Sequence, residues 1–271
     1  MIAAGVSMRE TKPRRKMLAV ERRTRILELL HKQGLVTVSE LSPAFHVSEE
    51  TIRRDLQQLE DENGVARTYG GAYMAKAVHS DIPVNIRETI YLQGKEAIAT
   101  LCDDLIIEGE TLMLDSSTTS LQIAAHLKLK KNLTVITNSL RIAERLSGSE
   151  ALRVICVGGT LRHTQLSFVG PSAPEMLGRF YADKAFVSCV GVALDKGLTD
   201  ADELEAEVRR TMLAHARERI LVADNTKLGK TSFSLISPLD GIDCLVTDRE
   251  PDARWVAELA ARKIKCRYPS K

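Results

Sequence analysis

Ser48-Glu49-Glu50-Thr51-Ile52-Arg53-Arg54-Asp55-Leu56-Gln57-Gln58-Leu59 is the stretch on which the reading of this 271-residue chain turns. Ser48 is a good helix N-cap, and Glu49 and Glu50 stand where the helix dipole favours negative charge. Ile52, Leu56 and Leu59 recur at helical spacing and make one apolar face. At about 100° per residue, Glu50, Arg54 and Gln57 point the opposite way, with Thr51, Arg53 and Gln58 on the flanks. Arginine can fork onto guanine O6 and N7, and glutamine onto adenine. A solvated face is the default for a lone charged helix, and the flanking segments displace that default.

Upstream, Ile26, Leu27, Leu29 and Leu30 predict an amphipathic helix from Glu21 that stops at Gly34. Leu35-Val36-Thr37-Val38 reads as a short extended piece. Ser39 is the expected cap of a second helix, with Leu41 and Phe45 inward and Pro43 near its first turn. His46-Val47 makes the turn into the helix from Ser48. Two short helices joined by a tight turn describe a helix-turn-helix. Downstream, Val65-Ala66-Arg67-Thr68-Tyr69-Gly70-Gly71-Ala72-Tyr73 predicts a hairpin-like wing. There Arg67 would reach phosphate or a minor groove, and Gly70-Gly71 permits positive φ. His31 and His46 lack metal-ligand spacing and read as surface or turn residues, so no metal site is expected.

At this point the sequence resembles a known family. Arg22-x3-Ile26-x3-Leu30 followed by Ser48-x2-Thr51-Ile52-Arg53-Arg54-Asp55-Leu56 is similar to the DNA-binding signature of the DeoR family of bacterial transcription regulators. The resemblance implies a winged helix-turn-helix over residues 19–74, with double-stranded operator DNA as partner. Ser48, Thr51, Arg53, Arg54, Gln57 and Arg67 are the candidate DNA contacts.

Composition bounds the rest. The net charge is only +2, yet eight Lys or Arg lie between Arg9 and Arg25 against Glu10 and Glu21. Basic character is therefore local, which is what a polyanion senses. Residues 1–18 read as a disordered basic tail. Helical periodicity begins right after Met17, which makes that methionine a candidate start of translation alongside Met1. Cys102, Cys156, Cys189, Cys244 and Cys266 lie mostly in apolar runs without C-x-x-C and read as reduced cysteines of a cytoplasmic protein. No apolar run reaches the ~18 residues of a membrane span, and no secretory signal is expected.

Residues 75–89 read as a linker, with Pro83 disfavouring helix at Ile82. A single helix is expected from about Ile86 through Lys95 to Leu105. Strand runs follow at 111–114, 133–137, 152–157, 185–190, 219–223 and 244–247, with helices between. Strands without alternation, separated by helices, signal a mostly parallel α/β sheet covered on both faces. Ligands of such sheets bind at the carboxyl ends of strands. Small polar residues gather at four of those ends: Asp115-Ser116-Ser117-Thr118-Thr119-Ser120, Thr137-Asn138-Ser139, Gly158-Gly159-Thr160 and Ala223-Asp224-Asn225-Thr226-Lys227. The first opens a helix, where hydroxyls and backbone N–H groups favour an anion. Lys227 adds a cation. The bland alternative for the first loop is plain N-capping. Residues 191–200 read as a flexible loop that caps the acidic helix after Asp202.

Residues 90–268 resemble the DeoR C-terminal sensor domain, which is related to ribose-5-phosphate isomerases. That resemblance implies a phosphorylated sugar or polyol effector held by Asp115, Ser116, Ser117, Thr118, Thr119, Gly158, Gly159 and Lys227. The acidic Gly-Ala-Asp-Glu stretch of the isomerases does not appear, and Gly191-Val192-Ala193-Leu194 stands in its place. The expectation is a non-enzymatic repressor without a cofactor, controlled by a sugar phosphate, at least dimeric because two-fold operators mirror protein symmetry. Two rivals remain: an isomerase-like enzyme carrying a DNA-binding segment, with Glu203, Glu205 or Asp195 as base, and a redox regulator using its cysteines.

Overall fold

The computed structural model describes residues 17–33, 35–63, 65–68, 70–74 and 83–270. The basic tail before Met17 and the larger part of the expected linker, residues 75–82, lie outside the described residues. The chain divides into two units, residues 1–76 and 77–271.

In the first unit α1 (Ala19–Gln33) is followed by β1 (Leu35–Thr37), α2 (Val38–Phe45), α3 (Glu49–Asn63), β2 (Val65–Thr68) and β3 (Gly71–Met74). β2 and β3 form an antiparallel hairpin, and β1 pairs with the other side of β3. Ile26, Leu30, Leu41, Ile52, Leu56, Leu59 and Val65 make the core, so the apolar stripe of the opening stretch is the buried one. The second helix starts earlier than the sequence suggests. Its cap is Thr37, not Ser39, because Glu40 completes a capping box from Thr37. Pro43 therefore sits inside the helix rather than in its first turn. His46 closes it in the left-handed region at φ 54°. Gly71 is needed for a steric reason and not for positive φ: a Cβ there would lie 2.1 Å from the Val36 carbonyl oxygen.

In the second unit the expected single helix is two. α4 (Val84–Thr89) and α5 (Leu92–Asp103) are separated by Ile90 and by Tyr91, which has φ 52°. Next come β4 (Thr111–Leu114), α6 (Thr118–Leu127), β5 (Leu133–Thr137), α7 (Leu140–Leu146) and β6 (Leu152–Cys156). A small antiparallel hairpin, β7 (Thr160–Arg162) and β8 (Ser167–Val169), precedes α8 (Ser172–Leu177) and β9 (Ala182–Val187). Residues 191–200 are not a flexible loop but a buried hairpin, β10 (Gly191–Ala193) and β11 (Gly197–Asp200). Gly197 makes its turn at φ +70°, where a Cβ would meet the Ser237 carbonyl oxygen at 2.3 Å. The chain ends through α9 (Glu203–Ala214), β12 (Ala216–Val222), β13 (Ser234–Ser237), β14 (Cys244–Val246), α10 (Ala253–Ala261) and β15 (Lys265–Arg267). β13 pairs with β11.

Seven strands form one parallel sheet in the order β15-β14-β12-β9-β4-β5-β6. Successive residues of one strand feed opposite cores. Leu112 and Leu114 pack with Ile98, Leu121 and Ile142 of α5, α6 and α7. Met113 joins Leu177, Met212 and Trp255 of α8, α9 and α10. Strand order reverses between β4 and β9: from β4 the chain moves outward to β6, then returns on the other side. A crevice opens beyond the carboxyl ends of two strands at such a switch point.

Candidate functional site

In the first unit Thr51 is half-buried, and Ser48, Glu50, Arg53, Arg54 and Gln57 are exposed on the face of α3 that leaves the core. The Ser48 hydroxyl accepts from the Thr51 N–H and lies 2.9 Å from the Thr51 hydroxyl, so both serve the helix start. Arg53 pairs with Glu49 at 2.6 Å and Arg54 more loosely with Glu50 at 3.6 Å. Such exposed pairs are worth little, and the guanidiniums can exchange them for another anion at small cost. Two charged residues of the signature do something else. Arg22 of α1 donates from Nε and Nη2 to both carboxylate oxygens of Asp55 on α3, at 2.5 and 3.2 Å, with both side chains buried. The side chain of Arg67 lies outside the described residues.

In the second unit the residues after β4, β9 and β12 meet at the switch point. They line two adjoining cavities of about 50 and 60 Å³ that share Arg87, Thr118, Cys189, Val190 and Lys227 as common wall. Each holds roughly a few waters. The first is bounded by Ser116, Ser117, Arg162, Gln165, Glu205 and Arg209, the second by Ile90, Tyr91, Lys95, Asp224 and Thr226. Ser117 caps α6 by accepting from the Ser120 N–H at 3.0 Å, so the N-terminus of that ten-residue helix faces the crevice wall formed by Thr118. Lys227 sits in a single 3-10 turn after β12 and donates to the Ser188 hydroxyl at 2.9 Å, with an Asp224 carboxylate oxygen 3.9 Å away.

Asp115 does not face the crevice. It is fully buried and accepts from Arg209 Nε at 2.7 Å, the Ser120 hydroxyl at 2.6 Å, and the N–H groups of Ser117 and Ser188 at 3.2 and 3.0 Å. Burial alone would push its carboxyl up; the Arg209 charge and these hydrogen bonds outweigh it and hold it below the usual carboxylate range. Arg209 also pairs with Asp200, and its Nη2 is 3.8 Å from Glu205. Although burial works against its charge, these three carboxylates raise it above the ordinary arginine value. Glu205 in turn accepts from the hydroxyls of Ser116 at 2.9 Å and Ser167 at 2.5 Å and from Arg162 at 3.4 Å. This network is the floor of the crevice.

Of the expected effector residues, Ser116, Ser117, Thr118 and Lys227 line the crevice. Thr119 is buried behind it, and its hydroxyl finds no partner among the described residues. Gly158 and Gly159 are exposed past the edge strand β6 and line neither cavity. The end of β5 is also structural: Thr137 donates to the Leu114 carbonyl, Asn138 to the Phe168 carbonyl, and Ser139 caps α7. Several lining residues carried no signal in the sequence. Arg87 belongs to a stretch without a clear core pattern, Lys95 lies on the expected helix but carried no mark of a site, and Arg162 and Gln165 belong to an unforeseen hairpin. Arg87 donates to the Gln165 side chain, while its buried Nε finds no acceptor among the described residues. Burial and the nearby Arg209 charge bring its guanidinium down to about 10. A wider depression of about 960 Å³, with Leu194, Asn225, Arg249 and Trp255 in its wall, shares no lining residue with these two cavities and includes none of the hydroxyl loop.

Asp195 and Glu203 are exposed, outside the crevice, and Glu205 is committed to the three donors named above, with Arg209 beside it. The five cysteines are unpaired, and burial pushes Cys189 up to about 12 and Cys244 up to about 11, which leaves them poor nucleophiles. Among the described residues no group of His, Cys, Asp and Glu could hold a metal, and no helix is long and apolar enough to cross a membrane.

Comparison with known proteins covers both units. Residues 22–78 match the DeoR-like helix-turn-helix domain, and residues 91–249 match the DeoR C terminal sensor domain. An uncharacterized HTH-type transcriptional regulator of Bacillus subtilis (strain 168), YulB, is 38% identical over 249 residues, covering 92% of this chain and 96% of its own. The HTH-type transcriptional repressor GlcR of the same organism is 37% identical, covering 87% and 91%. Among solved structures, a ribose 5-phosphate isomerase from Methanocaldococcus jannaschii aligns with a TM-score of 0.37 and 15% identity over 49% of this chain and 53% of its own.

Proposed function

The chain belongs to the DeoR family of transcription regulators, and from that premise we propose that it is a repressor of a carbohydrate or polyol operon released by a phosphorylated sugar or polyol. The DNA-binding unit spans residues 19–74 and the sensor residues 90–268, with 75–89 between them. The exposed face of α3 reads the operator in a major groove, through Arg54 and Gln57 with Thr51 and Arg53 beside them. Arg67 on the wing adds a phosphate contact. The protein is cytoplasmic and acts as a homodimer or larger assembly, since a two-fold operator calls for a two-fold reader.

One observation carries the sensor half of this reading: a hydroxyl-rich helix N-terminus and Lys227 converge on one crevice at the switch point of the sheet. Backbone N–H groups at a helix start favour a phosphate, and a lysine supplies its counter-charge. Ser116, Ser117 and Thr118 are the hydroxyl donors, with Thr119 behind them. Asp115 serves by holding the loop. Catalysis is not part of the proposal, because no carboxylate in the crevice is left uncommitted to serve as base.

The test is a thermal-shift screen of sugar phosphates against their unphosphorylated parents, followed by release of operator DNA. A ligand at about 100 times its dissociation constant adds roughly 2.7 kcal/mol. Lys227→Ala should weaken the phosphorylated ligand roughly tenfold to a hundredfold and leave operator binding intact. Equal affinity of the variant and the parent would remove the site, and turnover of a pentose phosphate would replace the regulator by an enzyme.

A further inference from the structure

We infer that anion binding in the crevice is coupled to uptake of one proton by Lys95, so that the sensor's grip on its phosphorylated ligand loosens as the pH rises above neutrality. The inference rests on the proposed anion site and adds a second input to it.

The geometry around Lys95 is unusual for a lysine. It belongs to α5, is 5% exposed, and its Nζ donates to two backbone carbonyls, those of Arg87 and Ile90, at the end of α4. A neutral amine has two N–H groups, and these two carbonyls satisfy both. An ammonium has three. No acceptor for the third is found among the described residues, and Lys95 belongs to the wall of the cavity that Lys227 and Arg87 also line. An anion seated there would provide the missing acceptor.

The surrounding charges point the same way. From α4 come Arg87 and Glu88, from the turn after β12 come Asp224 and Lys227, and beyond β14 stands Asp248 against Gly94. Glu88 is already held by Arg141, at 3.0 and 3.2 Å, and Asp224 by Thr226 and Lys227. The α6 side contributes hydroxyls and no charge. Burial, and then the Lys227 charge, bring the Lys95 amine down to about 7. A dianion beside it adds an opposite charge that favours the ammonium and works against both causes. The step is balanced: neutral Lys95, the anion and a proton from water give an ammonium–anion pair.

Sulfate is the probe, because unlike phosphate it keeps its charge across the range. Its affinity for the full chain is measured by calorimetry from about pH 6 to pH 9, in two buffers of different ionisation enthalpy. The expected result is a plateau at the acid end and about tenfold weaker binding between pH 8 and pH 9, with close to one proton taken up there. Lys95→Arg, which stays charged, should remove the slope. In the parent chain the Lys95 ε-carbon resonance should titrate near neutrality and move to higher pH with sulfate, a reading that needs no variant. Sulfate that binds equally at all pH values overturns the coupling and leaves the anion site standing. Absence of sulfate binding at every pH removes the anion site and the coupling together. A slope that persists in a folded Lys95→Arg protein overturns the assignment to Lys95.

Discussion

Arg54 and Asp55 are neighbours on one helix and have opposite fates. Arg54 has 82% of its side chain in solvent and a 3.6 Å partner in Glu50. Its replacement by alanine should leave stability within about 0.5 kcal/mol, while costing about 1–3 kcal/mol of discrimination at one operator base. Equal losses on operator and random DNA in a gel-shift titration would assign it to phosphate instead. Asp55→Ala strips the buried Arg22 of its partner and should destabilise by about 3–5 kcal/mol in urea denaturation. The one-letter pattern did not separate these two roles. An arginine and an aspartate at adjacent positions look alike as charges, and only the turn of the helix puts one in water and the other against α1. The same holds at Asp115. Its place at a strand end was legible, but its use was not, because Arg209 arrives from 94 residues away. Short-range pattern finds the loop; long-range contact decides which of its members face outward.

At the level of elements, periodicity located the strands β4, β5 and β6 and the helices between them, since each is a local run of apolar residues. It failed where structure depends on pairing. β10 and β11 read as a loop because they are short and rich in small and polar residues; they are strands through mutual pairing and through β13. α4 and α5 read as one helix because no proline separates them, and Tyr91 at φ 52° breaks them. The start of α2 shows how a single hydroxyl sets an element's bounds. Thr37→Ala removes the capping box and should lower unfolding stability by about 0.5–2 kcal/mol. Gly71→Ala should be worse for function than for folding as a whole. Its Cβ must displace the Val36 carbonyl, so β1 leaves β3 and the wing loses its support. Loss of DNA binding with anion binding retained, both measured on the same preparation, is the expected outcome.

For the whole molecule, titration of the buried groups sets the pH range of stability. Asp115 and Asp224 are held below 3.8 in the folded chain. The unfolded chain therefore takes up protons first on acidification, and their stabilisation, present at neutral pH, is lost as pH falls below about 4. Lys95 acts at the other end. Between its folded value of about 7 and its ordinary 10.5 the unfolded chain holds the extra proton, so stability should rise with pH across that window. Urea midpoints at about pH 7 and pH 9 check the sign, and Lys95→Met should flatten the difference. The core clusters and the crevice-lining residues of the second unit all lie between residues 83 and 271. A fragment beginning at Pro83 should accordingly bind sulfate with the affinity of the full chain, and a loss of more than a few-fold would show that residues before Pro83 contribute to the site.

Arg209 holds Asp115 after β4, Asp200 at the end of β11 and Glu205 on its own helix. That arrangement divides the crevice into what selection can alter and what it cannot. A change at Arg209 or Asp115 costs the fold before it alters any preference, whereas Gln165, Ser188 and Val190 border the same space from a hairpin and a strand end. New ligand preferences therefore have an open route through those three positions. A library confined to them should yield folded proteins with redirected recognition, and one aimed at the floor should yield mostly insoluble chains.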